Sequence, residues 1–198
     1  MRVVGVILAG GRGRRMGGVD KALIRLGGTT LLARVAARLG PQVAALALSA
    51  NGLAEDYAEA RLPVLADPPP GNLGPLAGVL AGLDWAAEEG AEAVATAAVD
   101  TPFLPADLVA RLVAAAGGGL AVAASCGRMH PTAALWPVGL REELRAALAR
   151  GERRLGGFAH AKGAVTAGFE AEGIDPFFNI NTPDDLALAE AALQPPGA

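Results

Sequence analysis

Val3-Val4-Gly5-Val6-Ile7-Leu8-Ala9-Gly10-Gly11-Arg12-Gly13-Arg14-Arg15-Met16-Gly17-Gly18-Val19-Asp20-Lys21 is the stretch on which the reading of the chain turns. Its first seven residues are an unbroken apolar run, as in a strand buried on both faces. The rest is rich in glycine and arginine and ends on lysine. Glycines let backbone N–H groups approach an anion closely, and guanidinium groups add forked, charged donors. A buried strand emptying into such a loop predicts a cradle for a nucleoside triphosphate. The loop is not a Walker motif, because no Gly-Lys-Ser/Thr follows at the required spacing. It does not match G-x-G-x-x-G either, since Met16 stands where the third glycine belongs. P-loop ATPases and Rossmann dehydrogenases are therefore disfavoured. The competing reading is a surface turn with solvated basic residues.

Outward from this stretch, short apolar runs alternate with helical patterns. Strands are expected over residues 3–9, 43–49, 62–66, 93–99, 120–125 and 132–136. Helices are expected over 30–39, 76–88, 106–116 and 140–149. A last helix opens at Thr182-Pro183-Asp184-Asp185, with Thr182 as cap, Pro183 at the first helical position and Asp185 three residues after the cap. Alternation of fully apolar strands with helices predicts an α/β fold, a mostly parallel twisted sheet with helices on both faces. Ligands of such sheets bind beyond the carboxyl ends of the strands. Residues 10–15, Ala50-Asn51, Asp67 and Asp100 follow those ends and should converge on one cleft.

The 198 residues fit one domain and can bury a core without metals or disulfides. The formal charge of −3 supplies no basic excess for nucleic-acid binding. One cysteine, Cys126, excludes an internal disulfide and a Cys-based zinc cluster; it reads as an inert small apolar residue. The N-terminal apolar run is too short to span a bilayer, which takes about 20 residues. Its cluster of basic residues, Arg12, Arg14 and Arg15, follows it, the reverse of a signal peptide. A cytoplasmic protein without membrane attachment is expected.

Several residues admit two local readings. Asp100 can hold Mg²⁺, which prefers oxygen ligands shared with substrate phosphates, or it can cap a helix. Asp67 can begin an Asx turn before its proline-rich loop or face a ligand. Gly78 inside a helix costs about 1 kcal/mol against alanine, which points to close approach of a ligand or of a neighbouring strand. His130 precedes Pro131, so its backbone is held extended. Arg153 and Arg154 can bind phosphate or offset a helix dipole. Asn179 and Asn181, two apart on an extended segment, face the same way.

These blocks together resemble the molybdenum cofactor guanylyltransferases, within the wider nucleotidyltransferases of Rossmann-like, nucleotide-diphospho-sugar transferase-like fold. The resemblance runs through residues 8–21, Asn51, Asp67, Gly74-Pro75-Leu76-Ala77-Gly78, Asp100-Thr101-Pro102-Phe103, His130-Pro131-Thr132, Gly151-Glu152-Arg153-Arg154 and Asn179-Ile180-Asn181-Thr182-Pro183. It implies a three-layer, single nucleotidyltransferase domain over residues 1–198, binding nucleotide in its N-terminal half and acceptor in its C-terminal half. The implied reaction moves GMP from GTP to the phosphate of molybdopterin or Mo-molybdopterin, with release of pyrophosphate and with Mg²⁺ as cofactor. The resemblance assigns Arg15, Lys21 and Asp100 to catalysis and Asp100 to the metal. It assigns Leu8, Ala9, Gly10, Gly11, Lys21, Asn51, Asp67, Gly74, Pro75, Gly78 and Asp100 to the nucleotide. His130, Arg153, Arg154, Asn179 and Asn181 fall to the acceptor. Gly10 fits the GTP-using branch, whose CTP-using relatives tend to carry alanine there. Transient contact with cofactor-synthesis proteins and molybdoenzymes is also implied. Transfer of CMP, transfer of a nucleotide to a sugar phosphate, and a non-catalytic cofactor carrier are the alternatives.

Overall fold

A computed structural model describes residues 1–10, 20–52, 54–68, 74–171 and 173–194. Among them, in chain order, are strand β1 (Val3–Leu8), a small hairpin of β2 (Arg25–Leu26) and β3 (Thr29–Thr30), helix α1 (Leu31–Leu39), β4 (Leu46–Ser49), β5 (Val64–Leu65), α2 (Pro75–Glu88), β6 (Ala93–Ala98) and α3 (Leu108–Ala116). Then follow β7 (Ala121–Ser125), β8 (Arg128–Pro137), α4 (Arg141–Ala149), α5 (Leu155–Ala161), β9 (Val165–Phe169) and α6 (Pro183–Ala192). No helix among the described residues is long and apolar enough to cross a membrane.

Seven strands form one sheet in the order β5-β4-β1-β6-β8-β7-β9. The ladders β5–β4, β4–β1, β1–β6 and β7–β9 are parallel, and β8 alone runs against its neighbours β6 and β7. The alternation within β1 serves both faces. Val3 and Ile7 join a core with Leu32, Val35 and Leu39 of α1 and Leu108 and Leu112 of α3. Val4, Val6 and Leu8 join a second core with α2, α4 and α5, including Leu80, Leu83, Leu148 and Phe158. Helices thus cover both faces, as the apolar strands require. A smaller cluster of Leu26, Leu31, Ile180 and Ala189 ties the hairpin to α6.

Two glycines set how closely α2 lies on the sheet. A Cβ at Gly78 would sit 2.5 Å from Ser49 Oγ and 3.0 Å from Leu8 Cδ2; one at Gly82 would sit 2.9 Å from Val6 Cγ2. Four residues apart, they share one helix face. Gly78 is buried there, so the close approach it permits is to the sheet. Of its two local readings, ligand or neighbouring strand, packing on the strand accounts for the missing side chain.

Several element boundaries differ from expectation. Strands β4 and β5 are shorter than their apolar runs. The hairpin of β2 and β3, helix α5 and strand β9 were not anticipated. The expected loop between β7 and β8 is a two-residue turn, Cys126-Gly127, with both residues at positive φ (48° and 71°). Such turns match the twist of a hairpin. Cys126 is exposed at its tip, not packed as a small apolar residue. Strand β8 then carries a wide irregularity: Val122 faces Ala134, while the next residue, Ala123, faces His130. Pro131 falls in the intervening excess, where its missing N–H breaks no ladder bond.

Candidate active site

The carboxyl ends of β1, β4, β5 and β6 meet at one edge, together with the amino end of β8. At the tip of β1 the side chains of Leu8 and Ala9 are buried; Leu8 O and Ala9 N are engaged by Val99 N and Ser49 O. Only backbone at this tip can meet a ligand. Gly10 is exposed, and a Cβ there would lie 3.8 Å from Asn51 Nδ2. Asn51 in turn donates to Asp67 Oδ2 at 2.9 Å. Three strand tips therefore contribute one contiguous polar rim. Asp67 spends its carboxylate on that amide, which leaves the rim with donors and acceptors in fixed positions. Gly11 and Arg15, both assigned from sequence, lie outside the described residues.

Beside this rim, Lys21 Nζ lies 2.8 Å from Asp100 Oδ2 and 2.5 Å from Asn181 Oδ1. The three groups are brought together from positions 79 and 160 residues apart in the chain. The side chains of Lys21 and Asp100 are 18% and 15% exposed, so the pair is far less screened than a surface salt bridge. Asp100 caps no helix, since the helix that follows begins only at Leu108. Its second oxygen, Oδ1, is buried and has no hydrogen-bond partner among the described residues. An orphaned carboxylate oxygen is costly to bury and is suited to a hard cation.

Asp20 and Tyr57 hold Lys21 in place. Asp20 Oδ1 accepts from Ala22 N at 2.9 Å, capping the 3-10 turn Lys21–Leu23, and Oδ2 accepts from Tyr57 Oη at 2.5 Å. Burial and then the Asp20 carboxylate push the Tyr57 phenol well above its ordinary range, so it stays a donor. Asn181 is held from its own backbone: its N–H donates to Asp185 Oδ2 at 2.9 Å, within the capping box of α6. The bond from Asn181 N–H, helped by those from Thr182 and by the Lys21 charge, keeps the Asp185 carboxyl below the usual range against the opposing effect of burial. Ile180 N–H donates to Asp100 O at 2.9 Å, so this segment is anchored directly on the end of β6. Asn179 is exposed, while Ile180 between the two asparagines is buried.

The remaining sequence-assigned residues form the far wall. His130 Nε2 lies 2.8 Å from Ser125 Oγ, and its ring stacks on Phe177 with centroids 4.6 Å apart. Arg153 Nη1 donates to the carbonyls of Leu148 and Glu152 at 2.8 and 2.7 Å. Its guanidinium thus closes the end of α4, the helix-end role of the two local readings. Glu152 Oε1 accepts from the N–H groups of Arg153 and Arg154. A Cβ at Gly74 would meet Arg153 O at 3.8 Å, and one at Gly156 would meet Pro131 Cγ at 3.4 Å. The wall therefore runs from exposed Gly74 and Pro75, at the start of α2, past the 152–156 segment to Pro131 and His130. A groove of about 580 Å³ lies at the α4–α5 part of this wall, lined by Arg150, Arg153, Arg154 and Lys162 among others, and neither His130 nor Gly74 lines it. Asp20, Tyr57, Ser125, Asp175 and Asp185 hold the site without having been expected to do so. Only Asp185 carried a local signal, as a capping residue.

An α/β sheet whose strand tips gather a lysine, an orphaned carboxylate and a glycine edge defines a nucleotidyltransferase. The chain belongs to the MobA-like NTP transferase domain family, which matches residues 5–163. It is 56% identical over 194 residues to a molybdenum cofactor guanylyltransferase of Cereibacter sphaeroides, covering 98% of each chain. A molybdenum cofactor guanylyltransferase of Mesorhizobium japonicum is 52% identical over 200 residues, with 97% of this chain and 96% of that one covered. Among solved structures, the molybdopterin-guanine dinucleotide biosynthesis protein A of Archaeoglobus fulgidus superposes with a TM-score of 0.75 at 26% identity, covering 96% and 97% of the two chains.

Proposed function

We propose that this protein transfers GMP from GTP to the phosphate of molybdopterin or Mo-molybdopterin, releasing pyrophosphate and forming the guanine dinucleotide cofactor. The observation that carries the reading is the contact of Lys21 with Asp100 and Asn181 beside an unpaired, buried Asp100 Oδ1. The names borne by the relatives support the choice of substrates.

In the proposed reaction an acceptor phosphate oxygen attacks the α-phosphorus of GTP, and the bond to the oxygen bridging the β-phosphate breaks. No protein nucleophile is needed, because the acceptor is already an anion. The protein's task is to align two polyanions and to stabilise charge as it moves to pyrophosphate. Gly10 and the backbone of Leu8 and Ala9 edge the nucleotide; the roles of Gly11 in nucleotide binding and of Arg15 in catalysis rest on the sequence pattern. Asn51 and Asp67 present an amide and a carboxylate to the guanine edge or ribose, and Gly74 and Pro75 border them. Asp100 would hold Mg²⁺, with Asn181 beside it. The described residues hold no group of three or more His, Cys, Asp or Glu side chains able to form an all-protein cage. One carboxylate completed by phosphates and water suits Mg²⁺. When bound, the ion supplies positive charge shared between phosphate oxygens. Lys21 then places its ammonium on the phosphates, while His130, Arg153, Arg154 and Asn179 receive the acceptor. The proposed setting is the cytoplasm, where GTP is at hand.

The test is pyrophosphate release with molybdopterin, Mg²⁺ and each of the four nucleoside triphosphates. Release with GTP alone is expected. A preference for CTP overturns the guanine assignment, and pterin binding without release from any nucleotide makes the protein a carrier.

A further inference from the structure

Apart from the Lys21–Asp100 pair, the structure contains a second polar cluster, of which only His130 was assigned from the sequence. Ser125, the last residue of β7, is 3% exposed. Its hydroxyl donates to Asp175 Oδ1 at 2.7 Å and meets His130 Nε2 at 2.8 Å. Asp175 Oδ1 also accepts from Phe177 N–H at 2.9 Å, which fixes the turn leading to Asn179 and Asn181.

The arrangement has the residue types of a nucleophilic triad but the wrong order. The serine sits in the middle, buried, with its proton committed to a carboxylate. It has no base to activate it and no open face from which to attack. The same bonds do fix the histidine. A carboxylate only accepts, so the single hydroxyl hydrogen of Ser125 goes to Asp175, and its oxygen must accept from His130. Nε2 therefore carries the ring proton. Besides Ser125 Oγ the ring meets the Ser125 backbone, and in a neutral imidazole protonated on Nε2 the Nδ1 atom is an acceptor.

Neutrality has its own cause. Burial pushes the His130 ring below its ordinary value, and Arg128 adds to this; the Asp175 carboxylate and the Ser125 backbone offset it only in part. The ring plane is held as well, stacked on Phe177, which packs edge-on against Phe169 at 5.3 Å. Phe177 belongs to the segment whose Ile180 N–H is bonded to Asp100 O. The histidine is thus linked to the proposed metal-holding acid through four residues of backbone, Phe177 to Ile180.

We propose that Ser125 and Asp175 are positioning residues: they hold His130 in its Nε2–H form with Nδ1 presented as a hydrogen-bond acceptor to an N–H group of the heterocyclic acceptor substrate. The identity of that substrate rests on the proposed function; the positioning does not. A reduced pterin carries ring and amino N–H donors and meets the requirement. A sugar phosphate, whose hydroxyls can donate or accept, would need no fixed tautomer.

The experiment uses the full chain labelled with ¹⁵N-histidine. There are two histidines, so the variant His160→Gln assigns the signals. Long-range ¹H–¹⁵N spectra of the wild type are expected to show the Nε2–H tautomer for His130. In Ser125→Ala the preference should be lost. The KM for molybdopterin should then rise about tenfold, the worth of one hydrogen bond, with the KM for GTP unchanged. A wild-type ring that is predominantly Nδ1–H overturns the positioning without recourse to any variant. So does a Ser125→Ala protein with both tautomer and acceptor KM unaltered. If the wild type transfers no GMP to molybdopterin, the proposed function fails and takes the pterin with it, while the tautomer still decides the positioning.

Discussion

At one end of the cleft, Lys21, Asp100 and Asn181 are held by charge, and one carboxylate oxygen is left without a partner. At the other end, Ser125, His130 and Asp175 are held by directed hydrogen bonds, and the hydroxyl at their centre has both of its roles filled. The first cluster stands on the tips of parallel strands and can exchange its contacts, because an ammonium and a divalent cation compete for the same oxygens. The second stands where an antiparallel strand is displaced by an irregularity, and its saturated bonds favour one arrangement. Under the proposed function the contrast divides the work of the cleft: exchangeable charge would serve the polyphosphate, and rigid geometry the second substrate.

Substitutions at the charged end should have the largest effects. Asp100→Ala is expected to lower kcat for GMP transfer about a thousandfold, at the upper range for a preorganised electrostatic group, with a circular-dichroism spectrum like the wild type's. Wild-type turnover would erase the distinction between the two ends. Lys21→Ala should cost about a hundredfold in kcat and much less in GTP affinity measured by calorimetry. Equal losses in both would make Lys21 a binding group only. Gly78→Ala tests packing against ligand contact under this end of the cleft. It should reduce unfolding free energy by about 1–3 kcal/mol in urea titrations, and an unchanged stability with weakened GTP binding would restore the ligand role.

Two smaller effects sharpen the contrast between holding a charge and holding a shape. Tyr57→Phe removes one bond to Asp20 and should cost about 1 kcal/mol of stability, with a modest fall in kcat through Lys21. Asp185→Asn should cost about 1 kcal/mol at neutral pH, as capping residues do. Because the Asp185 carboxyl is lowered on folding, its contribution is complete above its unfolded value and lost as pH falls through the lowered one. The stability gap between variant and wild type should therefore begin to close below about pH 4. A gap that persists in stronger acid would show that the carboxylate's charge is not what α6 uses.

Much of this architecture was legible from short stretches. The strand at 3–9, the helix expected over 30–39 and the capping box at Thr182 depend on neighbours within four residues, and local pattern reports them. Helix α5 was hidden because Leu155-Gly156-Gly157-Phe158 contains adjacent poor helix formers. Burial of Leu155, Phe158 and Ala159 in the core beside Trp136 makes it helical. Strand β8 was cut short at Thr132 because a proline inside a strand reads as its end. Only the pairing of Ala123 with His130 shows that the strand continues beyond it. The site followed the same division. Lys21, Asp100 and Asn181 each stood in a recognisable block, whereas Ser125 and Asp175 carry nothing locally that distinguishes them from turn residues.

By itself the sequence determined which residues could bear charge, where strands emptied into loops, and which chemistry those loops could serve. These are properties of side-chain type and of periodicity over a few residues. The tertiary structure alone decided which of those groups meet. Sheet order put Asn181 against Lys21 and Asp175 against Ser125, and helix packing claimed Gly78 for the core. Contacts between distant segments are set by how buried faces stack, and no stretch of chain contains the partner that will complete its hydrogen bonds.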